Sequence, residues 1–339
     1  MFMKKIVISG YYGFNNFGDE AILSVLINKL KLLNLNITIF SVSPQLTSKT
    51  YNVNSIQTFD YRNVAKEIKH ADILISGGGS LLQDVTSIKS LLYYCWVIFN
   101  ALLYRKKVII FAQGIGPINS KFAAFIVKNI LKKCDYISVR DENSKKLLDS
   151  WNIKSDIVCD PIYSLKLPER LVEPILGVQL RDFHSLNETL LNKLADAMIE
   201  KFSDKKIEIF SLQDKLDLPV ADKFKQILKS KAPDINIEVL SNLSINDCIR
   251  RISNLEYMIA MRFHALLISL MYGIKSAAIN YDIKVEKLAN CAGIPLISMS
   301  AEENILDIFE EMQQLDESSL KSQSSKEFNW DKIIEVINS

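Results

Sequence analysis

KKIVISG-YYGFNNFGDEA-ILSVLINKLKLL, residues 4–33, sets the fold. A short apolar run of strand length leads into a glycine-bearing loop. The loop leads into a stretch with helical periodicity, so the segment reads as a βα unit. Gly10, Gly13 and Gly18 punctuate the loop. Their spacing is neither the G-x-G-x-x-G of a dinucleotide fold nor that of a P-loop. A nicotinamide dehydrogenase is therefore disfavoured, and the loop must serve another ligand or another purpose.

The pattern repeats outward from that segment. Strand-like runs at 36–43, 55–59, 72–79, 107–117, 136–141 and 156–161 alternate with helical stretches at 62–71, 85–105, 120–134 and 142–152. The strands are short, apolar and not alternating, as expected when helices cover both faces of a parallel sheet. YSLKLPERLVEP (163–174), with two prolines, reads as a linker. A second β/α series follows, with strands at 175–182, 206–213, 235–241, 257–261, 275–280 and 295–298. We therefore expect an α/β protein of two Rossmann-like domains with an intervening cleft. The expected divisions are 1–165, 175–300 and a C-terminal helical segment, 301–339, with 318–326 as a loop between helices.

The chain has 339 residues and a formal net charge of +2, so composition gives no pull toward nucleic acid. Its five cysteines lie far apart with no C-x-x-C pair, which argues against a zinc site or a disulfide framework and fits a reducing cytoplasm. LLYYCWVIFNALLY (91–104) is the longest apolar segment, and Lys89 and Arg105–Lys107 flank it. It is short of the ~20 residues that a membrane-spanning helix needs. It reads as a buried helix or a homo-oligomer contact, or as a peripheral membrane contact through 88–107.

The informative residues collect at strand ends. Gly13, Asn16 and Asp19 follow the first strand; Gly78, Gly79, Ser80, Gln83 and Asp84 follow the fourth; Gln113 and Arg140 end later ones. In the second half Arg181, then Arg262 and His264, then Tyr281, Asp282 and Lys284 fall in equivalent places. Ligands of open α/β sheets bind beyond those ends. A strand-end glycine is often only a turn residue, but three in a row suit a backbone that approaches a ligand closely. An arginine fork matches a carboxylate or phosphate. His264 opens an apolar helix, where it can carry protons near neutral pH. Asp19 at a helix start also has a plain reading, stabilisation by the helix dipole. No metal-ligand cluster is visible, so the charges of a small anionic donor would be met by side chains.

SGYYGFNNFGDEAIL, LISGGGSLLQDVTS, AQGIGP, SVRDENS, MRFHAL and YDIKV, in this order over about residues 1–300, resemble the polysaccharide pyruvyl transferase family. The nearest likeness is to members that pyruvylate bacterial cell-wall polymers. Two departures are mild: RDF (181–183) stands for an RDW-like form, and YDIKV (281–285) for a YDPKV-like form. The resemblance implies a GT-B-like fold, no cofactor, and phosphoenolpyruvate as co-substrate. It implies an N-acetylmannosamine acceptor in a lipid-diphosphate-linked precursor, a 4,6-ketal product and released phosphate. It assigns importance to Asp19, Arg140, Arg262, His264 and Lys284. Arg181 joins them by its strand-end position. Arg262, Lys284 and one of Arg140 or Arg181 would hold the donor; His264 would carry protons; Asp19 would take or orient a sugar hydroxyl proton. The alternative on the same fold is a glycosyltransferase using a nucleotide sugar.

Overall fold

The computed structural model describes residues 3–184, 186–300 and 302–339. The chain divides into two compact units. The first runs to Leu165 and includes Lys326–Ser339; the second is Lys166–Ser325.

The first unit is built from β1 (Lys5–Ser9), α1 (Phe17–Lys31), β2 (Asn36–Ser41), α2 (Pro44–Tyr51), β3 (Asn54–Gln57), α3 (Tyr61–His70) and β4 (Ile73–Ser76). It continues with β5 (Gly79–Leu82), α4 (Ile88–Leu103), β6 (Lys107–Ile115), α5 (Lys121–Leu131), β7 (Tyr136–Val139), α6 (Glu142–Ser150) and β8 (Asp156–Ile157). The strands pair in parallel in the order β3-β2-β1-β4-β6-β7-β8, with β5 attached to β6. Ile6, Val7 and Ile8 of β1 are fully buried, which is why the strand is continuously apolar. Chain order reverses between β1 and β4. The GYYGFNN loop and the GGGS run therefore lie side by side at the switch point, where such sheets bind ligands.

The second unit carries β9 (Ile175–Gln179), α7 (Glu188–Phe202), β10 (Lys206–Phe210), α8 (Asp214–Lys231), β11 (Ile237–Leu240), α9 (Ile245–Ser253) and β12 (Tyr257–Ala260). After them come α10 (Phe263–Met271), β13 (Lys275–Asn280), α11 (Ile283–Ala292), β14 (Leu296–Ser298), α12 (Ile305–Gln314) and α13 (Glu317–Gln323). Its parallel sheet has the order β11-β10-β9-β12-β13-β14, which is the Rossmann order. The reversal here lies between β9 and β12, so Arg181 and the RFH run flank it.

Three local features differ from the sequence expectation. Residues 318–326 are not all loop: α13 covers Glu317–Gln323, because the Asp316 carboxylate accepts from Ser319 N–H at 2.7 Å and starts a helix. α2 was not visible as a periodic run, since only Thr47 and Tyr51 of its eight residues are buried. The single strand expected at 72–79 is instead β4, ending at Ser76, and β5, Gly79–Leu82, which pairs with β6 with a register shift along the pairing. The segment 301–339 is shared: α12 and α13 fall in the second unit, and α14 (Asp331–Asn338) in the first. Phe328 and Trp330 hold that return, each ring centroid 5.6 Å from Phe111 of β6.

Candidate functional site

In the second unit three adjacent strands, β9, β12 and β13, deliver the predicted residues to one edge. Arg181 follows β9. Its backbone N–H points to Met261 Sδ at 3.2 Å, and its guanidinium lies over the Tyr281 ring, 5.8 Å from the centroid. Arg181 Nη1 is 3.5 Å from Tyr281 Oη, a long contact. The buried Nε of Arg181 has no hydrogen-bond acceptor among the described residues. A buried donor left open in this way is costly unless a ligand answers it. Phe183 packs edge-on against Tyr281 at 5.1 Å, so the RDF and YDIKV runs meet.

Arg262 is the residue before α10 and caps it with no side-chain bond. Its guanidinium is turned to Asp217 of α8: Nε to Oδ2 at 2.8 Å and Nη2 to Oδ1 at 2.6 Å, with Gln213 Oε1 at 3.1 Å from Nη2. Asp217 is 0% exposed and also accepts from Leu212 N–H, Gln213 N–H and Gln179 Nε2. Gln179 Oε1 in turn accepts from Arg262 N–H at 2.8 Å. The charge expected to hold a donor is thus offset by a buried carboxylate. His264 is the second residue of α10, half-buried, with its ring edge-on to Phe263. Lys284 is the second residue of α11, and its N–H is capped by Asp282 Oδ1 at 2.8 Å. The two helices begin beside each other after neighbouring strands, so both N-termini turn their positive ends to this edge.

In the first unit Asp19 and the GGGS run come together. Gly79 has φ +94°, and a Cβ there would stand 2.5 Å from Asp19 Oδ1. Gly79 is therefore glycine both for its backbone and for the approach of the carboxylate. Asp19 raises the proton affinity of two neighbours. Burial and then Asp19 push the Tyr12 and Tyr94 hydroxyls well above their ordinary range. Ser80 sits against Gly114, whose added Cβ would meet Ser80 Oγ at 2.7 Å and Asp141 Oδ2 at 3.3 Å.

The other predicted residues of this unit make structural bonds. Asn16 caps α1 by accepting from Gly18 N–H at 3.1 Å. Gly13, at φ +81°, donates to Glu20 Oε1 at 2.7 Å, and Gly78 lets α1 approach, since its Cβ would meet Ile22. Gln83 turns back on Thr86, accepting its N–H at 3.0 Å and donating to its hydroxyl. Asp84 accepts from Asn119 N–H and Ser120 N–H at 2.8 and 2.7 Å, and those bonds hold its carboxyl below the usual range. Gln113 is fully buried and braces the glycines from below, donating to Ser76 Oγ and Gly77 O at 2.7 and 2.8 Å. Arg140 is paired with Asp160 at 2.6 Å, with both side chains largely buried.

Asp217, Gln179, Glu20 and Asp160 were absent from the sequence reading. Gln179 had a signal, a polar side chain inside the apolar strand ILGVQ. Asp217 had none, because DKLDLPVAD reads as a solvated helix. No group of three or more His, Cys, Asp or Glu among the described residues could hold a metal ion. A cavity lined by Tyr136, Asn152, Lys332 and Ser339 lies at the start of β7, the opposite end of that strand from Arg140.

Two Rossmann-order units with polar clusters at their switch points define an α/β fold of the GT-B kind. Residues 16–283 match the family model described as polysaccharide pyruvyl transferase, and the chain belongs to that family. It is therefore an enzyme that transfers pyruvate to a polysaccharide. No curated protein matches the sequence. Solved structures share the fold at low identity. The UDP-GlcNAc 2-epimerase of Methanocaldococcus jannaschii has a TM-score of 0.68 at 13% identity, covering 99% of each chain. The Neisseria meningitidis UDP-GlcNAc 2-epimerase, bound to UDP-GlcNAc, has a TM-score of 0.67 at 9% identity, covering 99% of this chain and 100% of that one. Anabaena Alr3699/HepE, in complex with UDP and glucose, has a TM-score of 0.64 at 10% identity, covering 99% of this chain and 98% of that one.

Proposed function

We propose that the enzyme moves pyruvate from phosphoenolpyruvate to an N-acetylmannosamine unit of a lipid-diphosphate-linked wall-polymer precursor. The product is a 4,6-ketal, and phosphate is released. The observation that carries the donor assignment is Arg181. Its buried Nε has no acceptor among the described residues, and it stands at the switch point beside the N-terminus of α10, which Arg262 does not cap with its side chain. A donor bearing a carboxylate and a phosphate needs such forks and helix ends.

The residues then take the following roles. Arg181 and Lys284 hold the donor's charges. Arg262, fixed by Asp217, lends a rigid edge rather than a whole free charge. His264 gives a proton to the methylene carbon of the donor as one sugar hydroxyl adds to C2. The second hydroxyl displaces phosphate at the same carbon and closes the ketal. One hydroxyl proton replaces the one His264 gave, and the other leaves on phosphate, so protons balance. Asp19 takes or orients a hydroxyl proton, and the Gly79 approach keeps its carboxylate in place. Arg140, paired with Asp160, supports the first unit's strand ends.

A nucleotide-sugar transferase is the second reading, favoured by the UDP complexes among the similar structures. Ligand-dependent melting separates the two. Phosphoenolpyruvate should raise the melting temperature, and UDP should not. A shift with UDP alone would transfer the site to the second reading.

A further inference from the structure

We infer that the outer face of α4 and α5 in the first unit docks on an anionic lipid bilayer. On α4, Leu91, Tyr94, Cys95 and Ile98 turn into the core, while Ile88, Leu92, Phe99 and Leu103 are 44, 38, 53 and 61% exposed. Steps of four, seven and four residues keep those four in one stripe along the helix. α5 packs beside α4 and adds Phe122 and Phe125, 67 and 65% exposed and three residues apart. Large apolar side chains left open to water on two adjacent helices mark an interaction surface.

The charge around the patch selects the occupant. Residues 85–134 contain eight lysines and arginines and no aspartate or glutamate. The whole chain is only +2, so the rest of the molecule is net acidic. Lys89, Arg105 and Lys106 lie at the ends of the α4 stripe, and Lys121 and Lys128 lie on α5. A second copy of this face would bring like charges together across a two-fold contact, which opposes self-association. Anionic headgroups meet the lysines, while the phenylalanines and leucines enter the acyl boundary. No helix among the described residues is long and apolar enough to cross a membrane, so the contact is in the plane of the surface.

Vesicle flotation tests this with the intact chain and no sugar acceptor, so the result is independent of the pyruvyl-transfer reading. Vesicles of phosphatidylcholine with phosphatidylglycerol should recover the wild type at low salt. Recovery should be ~10-fold lower with phosphatidylcholine alone and should fall with added salt. Phe122→Ser/Phe125→Ser and Lys121→Glu/Lys128→Glu, all on exposed or half-exposed positions, should each lose roughly 10-fold while melting like the wild type. Wild type that stays in the dense fraction at low salt would overturn the proposal. So would recovery unchanged in both double variants, or a dimer in sedimentation that the phenylalanine variant dissolves.

Discussion

Arg140, Arg181 and Arg262 stand at strand ends, and two of the three are already answered by buried carboxylates, Asp160 and Asp217. The remaining one, Arg181, has a buried Nε with no acceptor among the described residues. Arg181→Lys keeps the charge and loses the fork. It should weaken phosphoenolpyruvate binding by calorimetry by at least ~10-fold. His264→Gln should instead lower kcat by roughly 100-fold and leave donor binding near wild type. If the lysine variant binds as tightly as wild type, the donor is held elsewhere. Asp217→Asn leaves the Arg262 charge buried without its partner and should cost about 3–5 kcal/mol in urea unfolding. A wild-type midpoint in that variant would mean the pair contributes nothing. The positions of these arginines were legible, because strand ends can be read from apolar runs. Their partners were not, since Asp217 is far along the chain from Arg262 and looks like a surface charge in its own helix.

At the scale of elements, α1 and the loop before it are held by one acid. Glu20 accepts from Gly13 N–H at 2.7 Å and from Tyr51 Oη at 2.8 Å. Burial raises its carboxyl above the ordinary 4.5, against the lowering effect of those two bonds. A folded state that favours the proton has its full contribution below the unfolded value. It loses that contribution as pH rises through the folded one. The wild type should therefore lose stability relative to Glu20→Gln as pH rises above 4.5, read by urea unfolding of both proteins. Parallel curves would contradict it. The glycine run after β4 makes a separate demand: Gly79→Ala meets both φ +94° and Asp19 Oδ1 at 2.5 Å. That variant should lose most transfer activity, and wild-type activity would show that the carboxylate need not lie there. The sequence announced both features as unusual glycines. It did not distinguish Gly13 and Gly78, which serve packing, from Gly79, which meets the acid. That distinction depends on which side chain faces the missing Cβ.

At the scale of the molecule, alternating apolar runs and helical periods were enough to read two parallel α/β units, since both faces of each sheet are buried. The return of Phe328 and Trp330 to Phe111 was not readable, because two rings in a polar tail have no period. The family match makes the chain an enzyme of pyruvate transfer, and the donor and acceptor are the claims to test. The most direct measurement is incubation with phosphoenolpyruvate and a synthetic lipid-diphosphate disaccharide ending in N-acetylmannosamine, read for free phosphate and for product mass. The account predicts one phosphate per product and an acceptor heavier by one pyruvate less one water. Absence of phosphate release, with a hexose added from a UDP-sugar instead, would contradict it.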